Sequence, residues 1–513
     1  MEKTNAIAVE DVVLEKPGKP LVTSQIVNAD LTEDDVIFLE EYDEKAKSRL
    51  YHRIDIRLVP MLALLYLVSH LDRANIGNAK IEGLEKSLGM AGVDYNIAVA
   101  IFFVPYILFE VPSNFLLTKF NKPSHYIGGL VIAWGTVMTL TGVVQNFGGL
   151  LATRVFLGVF EAGFFPAAMH TIGIWYPPNK TQTRTALFYC AAAIAGAFSG
   201  LLAAGIAKMD GLGNYDGWRW IFIIEGIASV IAGIMACYML PDTPASSKWL
   251  TADEVRFLEL THIATRGKKV KGGEQKEKFK YKTLFSVLLD WRIWLMSIVM
   301  WSNTVPGYAL KFTLPQILRG MGFTSTKAQL LSAPPYAIAA TSAICSAILA
   351  DRFSWRMPII VGGQVLVIIA NSIQFVYAAD IANNVALCYF CVFMALAGAY
   401  PIIPGVMAWQ LNNLAGPLRR AMGIALMVCL GNVGGIIGSF IFLDAEKPKY
   451  PTGFGSSLGF AAGGLFAAFA LEFVYWRANK KADGMTEDEI RGKYSDQQLE
   501  ELGDRSPLFR YAL

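Results

Sequence analysis

Two stretches hold the residues whose types and spacing could do chemistry. The first is Ser69-His70-Leu71-Asp72-Arg73-Ala74-Asn75-Ile76-Gly77-Asn78, and the second carries Arg154 and Glu161. Both lie in or at the end of long apolar runs, where an ionisable group costs at least about 2.5–3.5 kcal/mol on insertion scales. Arg154 and Glu161 stand seven residues apart, two helical turns, so they share a face about 10 Å apart and both can line one cavity. Burial disfavours a charged carboxylate and a nearby guanidinium favours it, so Asp72 and Glu161 are placed to exchange protons if their partners move. Arginine keeps its charge and offers a planar fork that fits a carboxylate. The chemistry expected is therefore proton-linked handling of an anion. When Asp72 and Glu161 take up protons, Arg73 or Arg154 loses its counter-ion and pairs with the anion. A permanent ion pair locking one end is the structural alternative.

Further along, Tyr308-Ala309-Leu310-Lys311-Phe312 places a lysine in another apolar run. Lys311 either snorkels to the surface or faces the cavity and grips a second anionic group, and the cavity is preferred. Asn303, Tyr308, Gln410 and Asn412 are the uncharged polar candidates for substrate contact, with Asn413 and Asn432 nearby. His70 and His170 are expected to be packing residues, as are Glu110 and Glu225. The six cysteines all fall in apolar runs, so no disulfide framework is expected. Cys388 and Cys391 form a C-x-x-C without further ligands; no metal and no cofactor is expected.

These residues have to be positioned by helices in a bilayer. Of 513 residues, 54% are hydrophobic and 17% charged, against about 25% charged in soluble domains. That excludes an ordinary soluble enzyme. The 45 Lys and Arg against 42 Asp and Glu leave +3, too even a balance for a nucleic-acid partner. A bilayer core needs about 20 apolar helical residues. Twelve such spans are predicted near 58–71, 97–117, 127–144, 150–175, 187–206, 220–240, 294–314, 330–349, 358–378, 386–411, 421–442 and 454–476. They divide the chain into a polar tail with a lead-in helix (1–53), a six-helix bundle (54–240), a central loop (241–290), a second bundle (291–476) and a second tail (477–513). The central loop carries Arg266, Lys268, Lys269, Lys271, Lys276, Lys278, Lys280 and Lys282. Lys119 and Lys122, Lys180 and Arg184, Arg352 and Arg356, and Arg419 and Arg420 fall on the same side, which predicts cytoplasmic termini.

The halves echo each other: Gly163-Phe164-Phe165-Pro166 in span four matches Gly398-Ala399-Tyr400-Pro401 in span ten. Parallel six-helix repeats are how major facilitator transporters are built, with the substrate site at the midplane between halves. The chain resembles the anion:cation symporter branch of that superfamily, in particular its fungal allantoate-permease-like members, from about Arg53 onward. The resemblance rests on Leu71-Asp72-Arg73-Ala74-Asn75-Ile76-Gly77-Asn78-Ala79, Phe109-Glu110-Val111-Pro112-Ser113-Asn114, Arg154-Val155-Phe156-Leu157-Gly158 with Glu161-Ala162-Gly163-Phe164-Phe165-Pro166, and Pro241-Asp242-Thr243-Pro244. In the second half, Pro334-Pro335-Tyr336-Ala337, Asn412-Asn413 before Arg419-Arg420-Ala421, and Gly431-Asn432-Val433-Gly434-Gly435 also fit. It implies proton-coupled uptake of a small organic anion such as a vitamin carboxylate or ureide, by a monomer at the plasma membrane. Asp72 and Glu161 would carry the protons and Arg154 would bind substrate. The sequence departs from the family's pattern at His70, at Lys311 and in the loop from Lys119 to Lys122.

Three other classes fit the residues less well. A proton-driven exporter of a drug or secondary metabolite typically carries a Gly-Pro kink in span five, where Ala195-Gly196-Ala197-Phe198-Ser199-Gly200 has no proline. A sensor on the same fold would need a longer cytoplasmic extension. An enzyme would need a nucleophile with a base, a metal cluster or a phosphate-cradling loop.

Overall fold

Backbone groups in lipid must bond internally, and the chain does so with helices alone; no strand occurs among the described residues. The computed structural model describes residues 32–117, 119–120, 122–266, 281–353, 356–381, 383–415, 417–447, 449–495, 498–499 and 502–512. The basic run from Lys268 to Lys280 lies outside them.

Helix starts follow local chemistry. Asp43 accepts from the amides of Lys45 and Ala46 to open Glu44–Ile81, and Asn146 accepts from Gly149 at 2.7 Å to open Phe147–Glu161. Pro123, Pro178 and Pro451 stand in the first turn of three further spans, where their missing N–H costs nothing. Span one is longer than its apolar run suggests: the helix continues through Asp72, Arg73 and Asn78 to Ile81. Span four is broken between Phe147–Glu161 and Phe164–Trp175. Pro166 has no N–H for the carbonyl of Ala162, so the break falls directly after Glu161.

Among the described residues, ten helical segments are long and apolar enough to cross a membrane. The two predicted spans that fall below that level are helices all the same, Pro123–Thr141 and Trp291–Gly320. The first is diluted by Ser124 and His125, the second by Arg292, Asn303, Lys311 and Arg319.

One large core runs from Leu39 to Leu260 and includes Phe312 of span seven; two others are built from residues between Met296 and Tyr475. The chain enters and leaves at one end of the bundle, here the terminal face. The central loop on that face carries helices Ala252–Arg266 and Tyr281–Leu288. The second tail, expected to be a plain polar extension, also differs. Span twelve runs on to Asp483, and residues near 504–512 pack back on the bundle. At the opposite face, spans one and seven touch: a Cβ on Gly77 would sit 2.6 Å from the Phe312 carbonyl, so only glycine allows this approach.

Candidate functional site

Span one is the hub. One turn apart, Ser69 and Arg73 both hold Oε1 of Glu161: Arg73 Nε donates at 2.6 Å, and Ser69 Oγ donates beside it. The pair is buried, with the Glu161 side chain 1% exposed. The Arg73 guanidinium also lies over the rings of Tyr106 and Phe102, 4.7 and 5.2 Å from their centroids. An ion pair this deep keeps its charges by mutual attraction and hydrogen bonding rather than by water. Turning around the helix, Asp72 faces span six, where Ser229 Oγ donates to Oδ2 at 2.8 Å. Asn75 Nδ2 donates to Glu225 Oε2 at 2.7 Å, and Asn78 Nδ2 to Ser199 Oγ of span five at 2.8 Å.

Glu161 therefore pairs with Arg73 on span one, not with Arg154 on its own helix. Arg154 is 3% exposed, packs 5.7 Å from the Phe222 ring centroid, and has Nε and Nη2 buried without an acceptor. Leaving guanidinium N–H groups buried and unpaired is costly. A Cβ on Gly158, one turn after Arg154, would collide with the Phe102 carbonyl, so span two presses against this face.

On the second half, Lys311 is half-buried and its Nζ lies 2.9 Å from Nδ1 of His70 on span one. The contact bridges the halves, and His70, expected to be a packing residue, is its partner. Lys311 also lines a small cavity with Ala74, Asn78, Ser199, Ser332 and Tyr336. Tyr308, one turn earlier, stacks on Phe312 and meets Phe103 edge-on. Glu110 of span two, expected to be structural, accepts from the Cys429 thiol of span eleven at 3.8 Å and so touches both halves. Asn303 Nδ2 donates to the Ala399 carbonyl. Gln410 is buried and Asn412 exposed at the terminal-face end of Val385–Asn412. The structure does not bring these two together with the cluster on span one.

Of the residues gathered here, sequence reasoning gave no role to Ser69, Asn75 and Asn78 within the stretch it singled out, missed Ser199 and Ser229, and took Glu225 as structural. Among the described residues, no group of His, Cys, Asp or Glu is arranged to hold a metal.

The halves are joined at the face opposite the termini. Lys80 of span one donates to Asp444 after span eleven at 2.9 Å, and Gln316 donates to the same carboxyl at 2.7 Å. Arg319 Nη1 donates to the Ile81 carbonyl at 2.8 Å, Gln329 to Glu82 at 3.0 Å, and Asn96 to the Ser439 carbonyl at 2.5 Å. Burial pushes the Asp444 carboxyl up, but the bonds from Lys80 and Lys447 outweigh it and hold the group below the usual carboxylate range. Burial leaves neighbouring Glu85 above its usual value, despite Lys80 at 3.4 Å.

Comparison with known proteins agrees with this geometry. The family model of the Major Facilitator Superfamily matches residues 62–439. The chain is 35% identical to the MFS-type transporter cnsO of Penicillium expansum over 91% of each chain. It is 28% identical to the Major facilitator-type transporter hxnP of Emericella nidulans, over 92% of this chain and 94% of that one. The xylose transporter XylE from E. coli, in a partially occluded inward open conformation, superposes with a TM-score of 0.61 at 15% identity, covering 81% of this chain and 97% of that one. At that identity the likeness is one of fold.

Proposed function

The chain belongs to the major facilitator superfamily, and we propose that it is a proton-coupled symporter of the anion:cation branch, importing a small organic anion by alternating access. The observation that carries this reading is Arg154, a guanidinium buried at the hub with two N–H groups lacking an acceptor. A carboxylate substrate would supply the missing acceptors with the planar geometry that arginine favours. Arg73 is the second anion-binding group, held in reserve by Glu161. Protonation of Glu161 removes its counter-charge, and Arg73 is then free to turn to substrate. Lys311 contributes from span seven, with His70 of span one beside its ammonium group. The bonds between halves at the opposite face support a path to water through the terminal face in this arrangement. That face is the cytoplasmic one in this reading, the membrane is the plasma membrane, and the chain works as a monomer.

The test is uptake of labelled vitamins, ureides and amino-acid-derived acids into cells expressing the chain, at acidic and neutral external pH, with and without a protonophore. Accumulation of one anion that rises in acid and collapses with the protonophore is expected. Asp72→Asn and Glu161→Gln should abolish that accumulation while allowing exchange. Arg154→Lys should weaken binding by about 1.5–3 kcal/mol, the worth of a hydrogen bond to a charged group. Absence of uptake by protein shown to be at the cell surface would turn the reading to export.

A further inference from the structure

The interior between spans one and six has more acceptors than donors. Asp72 is 1% exposed and Glu225 6%. Each has one carboxyl oxygen served, Asp72 Oδ2 by Ser229 and Glu225 Oε2 by Asn75. The other two oxygens, Asp72 Oδ1 and Glu225 Oε1, are buried with no donor, and so is Asn75 Oδ1. Ser229 deepens the deficit. Its hydroxyl is within bonding distance of Asp72 Oδ2 at 2.8 Å and of the Glu225 carbonyl at 2.9 Å, yet it has one proton to give. From span three, the fully buried Trp134 turns its indole N–H toward Asp72 and reaches no acceptor at hydrogen-bonding distance.

Two ionised carboxylates in such a site repel each other, and among the described residues the side-chain partners of Asp72 and Glu225 are the neutral Ser229 and Asn75. The charged groups around them are Arg154 and Glu161 on span four and Arg73 on span one. Arg73 is engaged with Glu161, and no hydrogen bond joins Arg154 to either acid among the described residues. A proton shared by the two acids relieves part of this deficit. On Asp72 Oδ2 it donates to Ser229 Oγ, which frees the Ser229 proton for the Glu225 carbonyl; on Glu225 it relieves the like charge.

We propose that Glu225 joins Asp72 in one proton-holding unit between spans one and six, bridged by Ser229 and oriented by Asn75. This rests on the proton-coupled reading above and adds to it a residue that reading does not use. A proton taken from water at one face bonds to a carboxylate oxygen of the unit. When the halves rearrange, that O–H bond breaks and the proton returns to water at the other face.

The test titrates the full-length protein purified in detergent, following the protonated-carboxyl band in the infrared. Glu225→Gln should remove part of the band and displace the midpoint of the remainder by about one pH unit or more, the mark of coupled sites. Asp72→Asn should do the reciprocal. Ser229→Ala keeps both acids and should also move the midpoint, which carries the test if Glu225→Gln does not fold. A Glu225→Gln titration identical to wild type, or an unmoved Ser229→Ala midpoint, overturns the proposal. So does a wild-type midpoint that follows sodium chloride against choline chloride at constant ionic strength, which would make the site a sodium site. Failure of the symporter reading shows separately: uptake would ignore pH and protonophore while the coupled titration persisted.

Discussion

The two ends of the bundle use the same kinds of residue in different ways. At the face opposite the termini, Lys80–Asp444, Arg319–Ile81, Gln329–Glu82 and Asn96–Ser439 each tie one half to the other. At the terminal face, the described ionic networks close within a half. Asp55 binds Arg184 at 2.7 Å and Tyr176 at 2.6 Å in the first half. In the second, Asp290 and Asp504 alternate with Arg292 and Arg419 at 2.5–2.7 Å. Asp504 belongs to the C-terminal segment and is fully buried there. Tyr511 stacks on Tyr475, and the Ala512 carbonyl accepts from Trp409 and Asn413. Bonds across halves select one arrangement of the transporter, whereas bonds within a half stabilise a body that moves as a unit. The first kind should be read in populations and the second in stability.

The largest effect is expected at the terminal face. Arg292→Ala leaves Asp290 and Asp504 buried with Arg419 as their remaining arginine partner, and removing one member of a buried pair costs about 3–5 kcal/mol. The low end applies because Arg419 stays. Thermal unfolding in detergent should move down, and an unchanged midpoint would break the comparison on this side. Asp290 fixes the pH sense. Burial pushes its carboxyl up, but Arg292 and Arg419 hold it below the usual carboxylate range. Its contribution is therefore complete above the ordinary value of about 3.9 and is lost only as pH falls below that.

A smaller effect is expected at the opposite face. Asp444→Asn removes the charge that Lys80 and Gln316 share, and a charge-assisted bond is worth about 1.5–3 kcal/mol. With Glu85 still beside Lys80, roughly a tenfold population change should follow. A cysteine introduced at Ser199 should then react faster with an impermeant maleimide added from that face. Equal rates would mean that these bonds do not hold the halves together. Arg292→Ala should leave the same rate alone.

The smallest effect belongs to Glu85→Gln. This carboxyl is 29% exposed, and exposed pairs contribute about 0–1 kcal/mol. Because Glu85 is held above its usual value and Asp444 below, falling pH neutralises Glu85 first. What Glu85 adds in its neutral form is present in acid and lost as pH rises through its raised value. The Asp444 bond survives mild acid, so labelling at Ser199 should change by less than about twofold in this variant.

Much of the fold was legible because lipid imposes a coarse rule that composition obeys: long apolar runs, charges at their ends, a repeated Gly-to-Pro motif. Asp72, Arg73, Arg154 and Glu161 stood out for the same reason, since a charge inside a span is expensive. Their pairing was not legible. Helical spacing puts Arg154 and Glu161 on one face, but the break after Glu161 and the turn of span one bring Arg73 to it instead. Gln410 and Asn412 look like midplane polar residues in a string of letters, yet the span carries them to its terminal-face end.

The sequence by itself determined that this chain is a helical membrane protein with a few intramembrane charges, because hydropathy is a local property summed along a helix. The tertiary structure decided which charge meets which, that Lys311 finds His70, that Glu225 sits with Asp72, and that the last residues dock rather than trail. Those are contacts between residues tens to hundreds of positions apart, and they depend on how helices rotate and cross when they pack.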